Sequence, residues 1–99
     1  MKTKKRDLTG LDLFSYYRNI EGNTLLHEAV LSKDVNTVRF CVSKGDLINL
    51  QNNAGETALH LCASEDNIEL AEILVESGCE IEIKNNLGWT PLMQAVRSK

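Results

Sequence analysis

Long apolar runs are missing from this 99-residue chain. Nowhere do about 18 apolar residues follow one another, the length a membrane-crossing helix requires, so none is expected. The opening MKTKKRDLTGLDL is basic but leads into no apolar stretch of the kind a signal peptide carries. Cysteine is sparse and odd in number. Cys41, Cys62 and Cys79 cannot build a disulfide framework, and they fit a reducing compartment, cytoplasm or nucleus. There is no CxxC or HxxxH pair, so no zinc site is expected. The glycines stand singly, which leaves no glycine-rich phosphate loop. Between Glu56 and Ile83 there is no basic residue at all, against eight acids.

What is present is an ordinary share of apolar residues, 42%, enough for one small packed domain. Charge is unevenly spread. Lys2, Lys4, Lys5 and Arg6 crowd the first six residues, and from Asp7 onward seven basic side chains face fourteen acidic ones. Such a body repels a polyphosphate backbone, so nucleic acid is not expected as a partner. The basic tail is read as a solubilising terminus, with contact to an acidic partner as the sharper alternative.

The chain repeats itself. GNTLLHEAV begins at Gly22, GETALHLCA at Gly55 and GWTPLMQAV at Gly88, each 33 residues after the last. The register holds without gaps: Gly45 pairs with Gly78, Ile48 with Ile81, and Asn52-Asn53 with Asn85-Asn86. Self-similarity at this period signals stacked supersecondary units. Within a unit, Thr24, Thr57 and Thr90 suit helix N-caps, and Pro91 suits the first helical position. A short helix follows, with Leu59, Cys62 and Ala63 on one face. Lys33-Asp34 and Asp66-Asn67 break it. A second helix then runs to about Lys44 or Ser77. Its apolar residues Ile68, Leu70, Ala71, Ile73, Leu74 and Val75 cover most of the circumference, which predicts burial between neighbours. Gly45 and Gly78 suit left-handed C-terminal caps. The segments 46–54 and 79–87 are expected to be extended, anchored by Ile48 and Ile81, and to end in an Asn-Asn-x-Gly turn.

These residues closely resemble the ankyrin repeat family, whose unit carries Gly-x-Thr-Pro-Leu-His-x-Ala. The resemblance covers about residues 20–99, as repeats 20–52, 53–85 and a partial 86–99. It implies an all-α solenoid of stacked antiparallel helix pairs with hairpin-like loops. Residues 1–19 are read as a basic tail and a capping segment, with Leu8, Leu11, Phe14 and Tyr17 at roughly helical spacing. Two departures stand out. Lys33 and Asp66 replace the glycine usual between the helices, at a cost if the backbone there needs positive φ. Met93 replaces histidine in the third repeat.

His60 and Cys62 invite a catalytic or metal reading, since both residue types ligate metals and serve nucleophilic catalysis. His60 recurs as His27 one period earlier, however, and catalysis has no reason to follow a structural period. The resemblance implies that each histidine ties its threonine turn to the helix and to the neighbouring repeat. Cys41, Cys62 and Cys79 fit small-hydrophobe roles. No enzyme, cofactor or metal is therefore expected. Gly22, Thr24, His27, Gly45, Gly55, Thr57, His60, Gly78, Gly88, Thr90 and Pro91 are assigned structural roles. The function implied is a protein-interaction module binding a protein or peptide. The alternative is a regulatory or autoinhibitory piece of a larger enzyme, channel or signalling protein. The family's contact places fall on Asn23, Asn53, Ala54, Glu56, Asn86, Leu87 and Trp89 at the loop tips, and on Leu31, Ser32, Ser64 and Glu65 near the inner-helix ends. The third repeat has only its first helix, which is read as the end of a fragment of a longer array or as an end that something else covers, with self-association there as a further candidate.

Overall fold

A computed structural model describes residues 16–98. The segment around Leu8, Leu11 and Phe14, expected to cap the first repeat, lies outside the described residues. Five helices follow in order: α1 (Leu25–Ser32), α2 (Val35–Lys44), α3 (Ala58–Ser64), α4 (Ile68–Glu76) and α5 (Pro91–Arg97). Among the described residues there is no strand, as expected for an all-α solenoid.

The helix starts are set by side chains that satisfy otherwise orphaned backbone N–H groups. Thr24, Thr57 and Thr90 each accept, through Oγ1, the N–H of the residue three further on, at 3.3 Å. The outer helices use different caps, the second residue of each polar break between the helices. Asp34 accepts the Thr37 N–H at 3.2 Å, and Asn67 accepts the Leu70 N–H at 3.1 Å. The turn between helices has the anticipated left-handed residue: Lys33 has φ 61° and Asp66 φ 57°. The Asp34 N–H then reaches back to Ala29 O, and the Asn67 N–H to Cys62 O, both at 2.9 Å. These bonds close the inner helix and fold the chain into a helical hairpin.

The helices stack in two layers. The inner helices α1, α3 and α5 pack in sequence, α3 between the other two, while α2 and α4 pack behind α1 and α3 and against each other. One continuous core results, from Leu26 and Val30 through Val38, Cys41 and Leu59 to Leu70 and Leu74. Three expectations need correction. α4 is not buried around its circumference: Leu70, Ile73 and Leu74 are buried, but Ile68 and Val75 are exposed, because among the described residues no outer helix of the third repeat packs against α4. The apolar anchor of the first long loop is Leu47, fully buried, rather than Ile48, which is half-buried; Ile81 is exposed. The loops are also turns more than extended chain, as in the bond from the Leu50 N–H to Leu47 O.

Candidate partner-binding surface

Each loop closes on itself by the same four bonds. In the second loop the Asn52 N–H reaches Glu56 O and the Gly55 N–H reaches Asn52 O, both at 2.9 Å. The Asn52 Oδ1 accepts the N–H groups of Ala54 and Glu56. Asn19 and Asn85 do the same one period either side. Loops are then tied to one another. The Asn53 N–H donates to Glu21 O and its side chain to Ile20 O; the Asn86 N–H donates to Ala54 O and its side chain to Asn53 O. Glycine is required where this happens, since a Cβ on Gly22 or Gly55 would collide with Asn53 or Asn86. Arg18 donates to Gly22 O and Gln51 O, and Gln51 donates to Gly55 O and Lys84 O.

The histidines lock this ladder to the helices. His27 Nδ1 lies 3.0 Å from the Thr24 N–H, which can only donate. Its Nε2 lies 2.7 Å from Glu56 O, which can only accept. The ring is therefore neutral with its proton on Nε2. His60 is placed identically, between the Thr57 N–H and Trp89 O. Burial holds the His27 pKa below the ordinary value. Burial also pushes the Cys62 thiol up to about 12 and raises Cys41 and Cys79, so none is an activated nucleophile. Among the described residues no three His, Cys, Asp or Glu side chains gather to hold a metal, and no helix is long and apolar enough to cross a membrane.

With much of the loop backbone paired internally, the groups facing the groove are chiefly side chains. A groove of about 430 Å³ runs between loop tips and inner helices, lined by Ile20, Leu31, Asn53, Ala54, Glu56 and Leu61 among others. It gathers Asn23, Leu31, Asn53, Ala54 and Glu56 of the expected contact set. Ser32, Ser64, Glu65, Asn86 and Leu87 lie outside it, exposed. Trp89 is half-buried under the Arg97 guanidinium, 4.5 Å above its ring. Asn23 is a correction: it is buried, accepting from Asn52 and donating toward Glu21, because it sits directly before the capping Thr24. Glu56 is half-buried and accepts a bond from Gln94. Ile20 was missed. It is 92% exposed at a tip, and its position one period before Asn53 was the signal that could have found it.

Helix pairs stacked at a 33-residue period, with hydrogen-bonded loop tips and threonine–histidine braces, define a helical-repeat solenoid. The profile described as ankyrin repeats (3 copies) matches residues 26–99, and the chain belongs to that family. Its members are generally protein–protein interaction modules and typically non-catalytic scaffolds. No curated protein matches the chain in a sequence search.

Proposed function

We propose that this chain is a scaffold that captures a protein or peptide segment in the groove between its loop tips and inner helices. The observation that carries this reading is the completeness of the loop ladder. Every turn is closed by its own asparagine and tied to its neighbour, so the surface is preorganised and loses little entropy on binding. Ile20, Leu31, Ala54 and Leu61 offer apolar contact, while Glu21 and Glu56 set a negative sign. The matching segment is apolar with basic residues, not a nucleic acid. The free thiols of Cys41, Cys62 and Cys79 support the cytoplasm or nucleus as the setting.

Selection from a displayed random-peptide library against the intact chain tests this. Enriched peptides should combine apolar and basic residues. Ile20→Asp and Ala54→Arg should each weaken them at least tenfold with an unchanged circular dichroism melt. Peptides that bind both variants as tightly as the parent would sink the proposal.

A further inference from the structure

A second, larger groove lies beside α5. It measures about 610 Å³, and its lining includes Ile68, Ile81, Leu92 and Met93, with Asp66 and Glu82 as its charged members. All six are exposed. α1 and α3 are each backed by an outer helix; among the described residues no helix backs α5. An apolar surface of this kind gains by being covered.

The charge along the chain says what fits it. Residues 1–50 carry eight basic and six acidic side chains, whereas residues 51–99 carry three basic and eight acidic ones. The chain is thus positive toward its start and negative around this groove. Two copies meeting groove to groove would set Asp66 and Glu82 against their own counterparts, which is unfavourable. A copy meeting the groove with its first residues brings Lys2, Lys4, Lys5 and Arg6 to the acids, in a segment that stays net positive with Asp7 and Asp12 counted, and Leu8, Leu11, Leu13 and Phe14 come after them for the apolar floor.

We propose that the groove beside α5 receives the N-terminal segment, residues 2–14, of a second copy of this chain. The contact is head-to-tail, with a different surface on each partner, so it propagates to further copies unless the geometry closes a ring. A groove of this size is small beside the interface of a permanent dimer, so the association is weak and depends on concentration. Its electrostatic part is screened by salt. It uses a different surface from the loop-tip groove, so either can stand without the other.

Light scattering on the full chain, from dilute to several hundred micromolar, reads the result. At 50 mM NaCl the weight-average mass should rise above the monomer with concentration. At 500 mM it should fall back, the association weakened by roughly tenfold or more. Two charge-reversed chains sharpen the test. One carries Lys4→Glu, Lys5→Glu and Arg6→Glu. The other carries Asp66→Lys and Glu82→Lys, and lysine already occupies the Asp66 place one repeat earlier, at Lys33. Each alone should be monomeric with an unchanged helical spectrum, and mixing them should restore association as a mixed species. Leu92→Asp should also abolish self-association. A chain that stays monomeric at every concentration overturns the proposal. So does association that survives reversal of the tail charges, which would mean that copies pair through another surface. A mixture of the reversed chains that stays monomeric overturns it as well.

Discussion

The second and third repeats open on the same pattern, GETALHLCA and GWTPLMQAV aligning Gly, Thr and Leu, yet bury it in opposite degree. Leu59 and Leu92 hold equivalent places one period apart. Leu59 is 8% exposed and Leu92 75%. Cys62 is buried and Ala95 only half-buried; Ala63 is half-buried and Val96 exposed. Both helices open on the same threonine bond at 3.3 Å, so that bond does not make the difference. α3 is touched by α1, α4 and α5, whereas α5 leans chiefly on α3. Burial in a solenoid is supplied by the neighbour, and the repeat encodes only the capacity for it.

That contrast is broken or sharpened most strongly at the leucines. Leu26, fully buried at the same place in the first repeat, should cost about 3–5 kcal/mol when cut to alanine, because the site is closed on all sides. Leu92→Ala should cost less than about 0.5 kcal/mol. Urea unfolding followed by circular dichroism compares them. Equal losses would show that the α5 face is covered in solution. The glycines come next. Gly55→Ala should cost about 3 kcal/mol, since the new Cβ meets both strain at φ 79° and the Asn86 backbone. Gly78→Ala meets strain at φ 90° but open space, and should cost about 1 kcal/mol by the same measurement. A reversed order would mean that the loop ladder yields easily.

His60→Met installs the residue that the third repeat already carries at Met93. It removes the acceptor for the Thr57 N–H and the donor to Trp89 O while keeping the threonine cap. About 2 kcal/mol should be lost, with amide exchange accelerating first around Trp89. Unchanged protection there would remove the histidine from the loop coupling.

The period, the threonine caps and the left-handed turn at Lys33 and Asp66 were legible because each is a local demand of the backbone; the histidine brace, which reaches a carbonyl 29 residues on, was implied only by the resemblance to ankyrin repeats. The exposure of Ile68, Val75 and Ile81 was not legible. Counting apolar residues around a helix identifies surface that can be buried, and what lies opposite is decided by another repeat. Leu47 and Glu80 share a place in the period, one fully buried and one exposed, so no rule of position alone predicts either. In the loop groove, Ala54 and Leu31 could be placed by carrying over the contact places that the family resemblance implies. Asn23 could not, because the second loop's Asn52 reaches back to it across 29 residues. The asparagines at 19, 52 and 85 were half visible. The doublets Asn52-Asn53 and Asn85-Asn86 signalled a turn, but not that the first member closes its own loop while the second fastens the loop before it.

The smallest expected effect is a pH dependence, and it too separates buried from open. His27 is held neutral by burial, its Nδ1 facing a backbone donor, so its folded pKa lies below the ordinary 6.5. In the unfolded chain the ring takes up a proton as pH falls through about 6.5, while the folded chain resists until lower pH. The unfolded state then binds more protons, so stability is full above that value and declines as the medium becomes more acidic. Melting temperature should therefore drop between pH 7.5 and 5.5. His27→Gln, which cannot titrate, should lie lower throughout but with a shallower decline. The third repeat has Met93 at this place and contributes nothing to the slope. An equal slope in parent and variant would assign the pH response to other groups and return His27 to a purely geometric role.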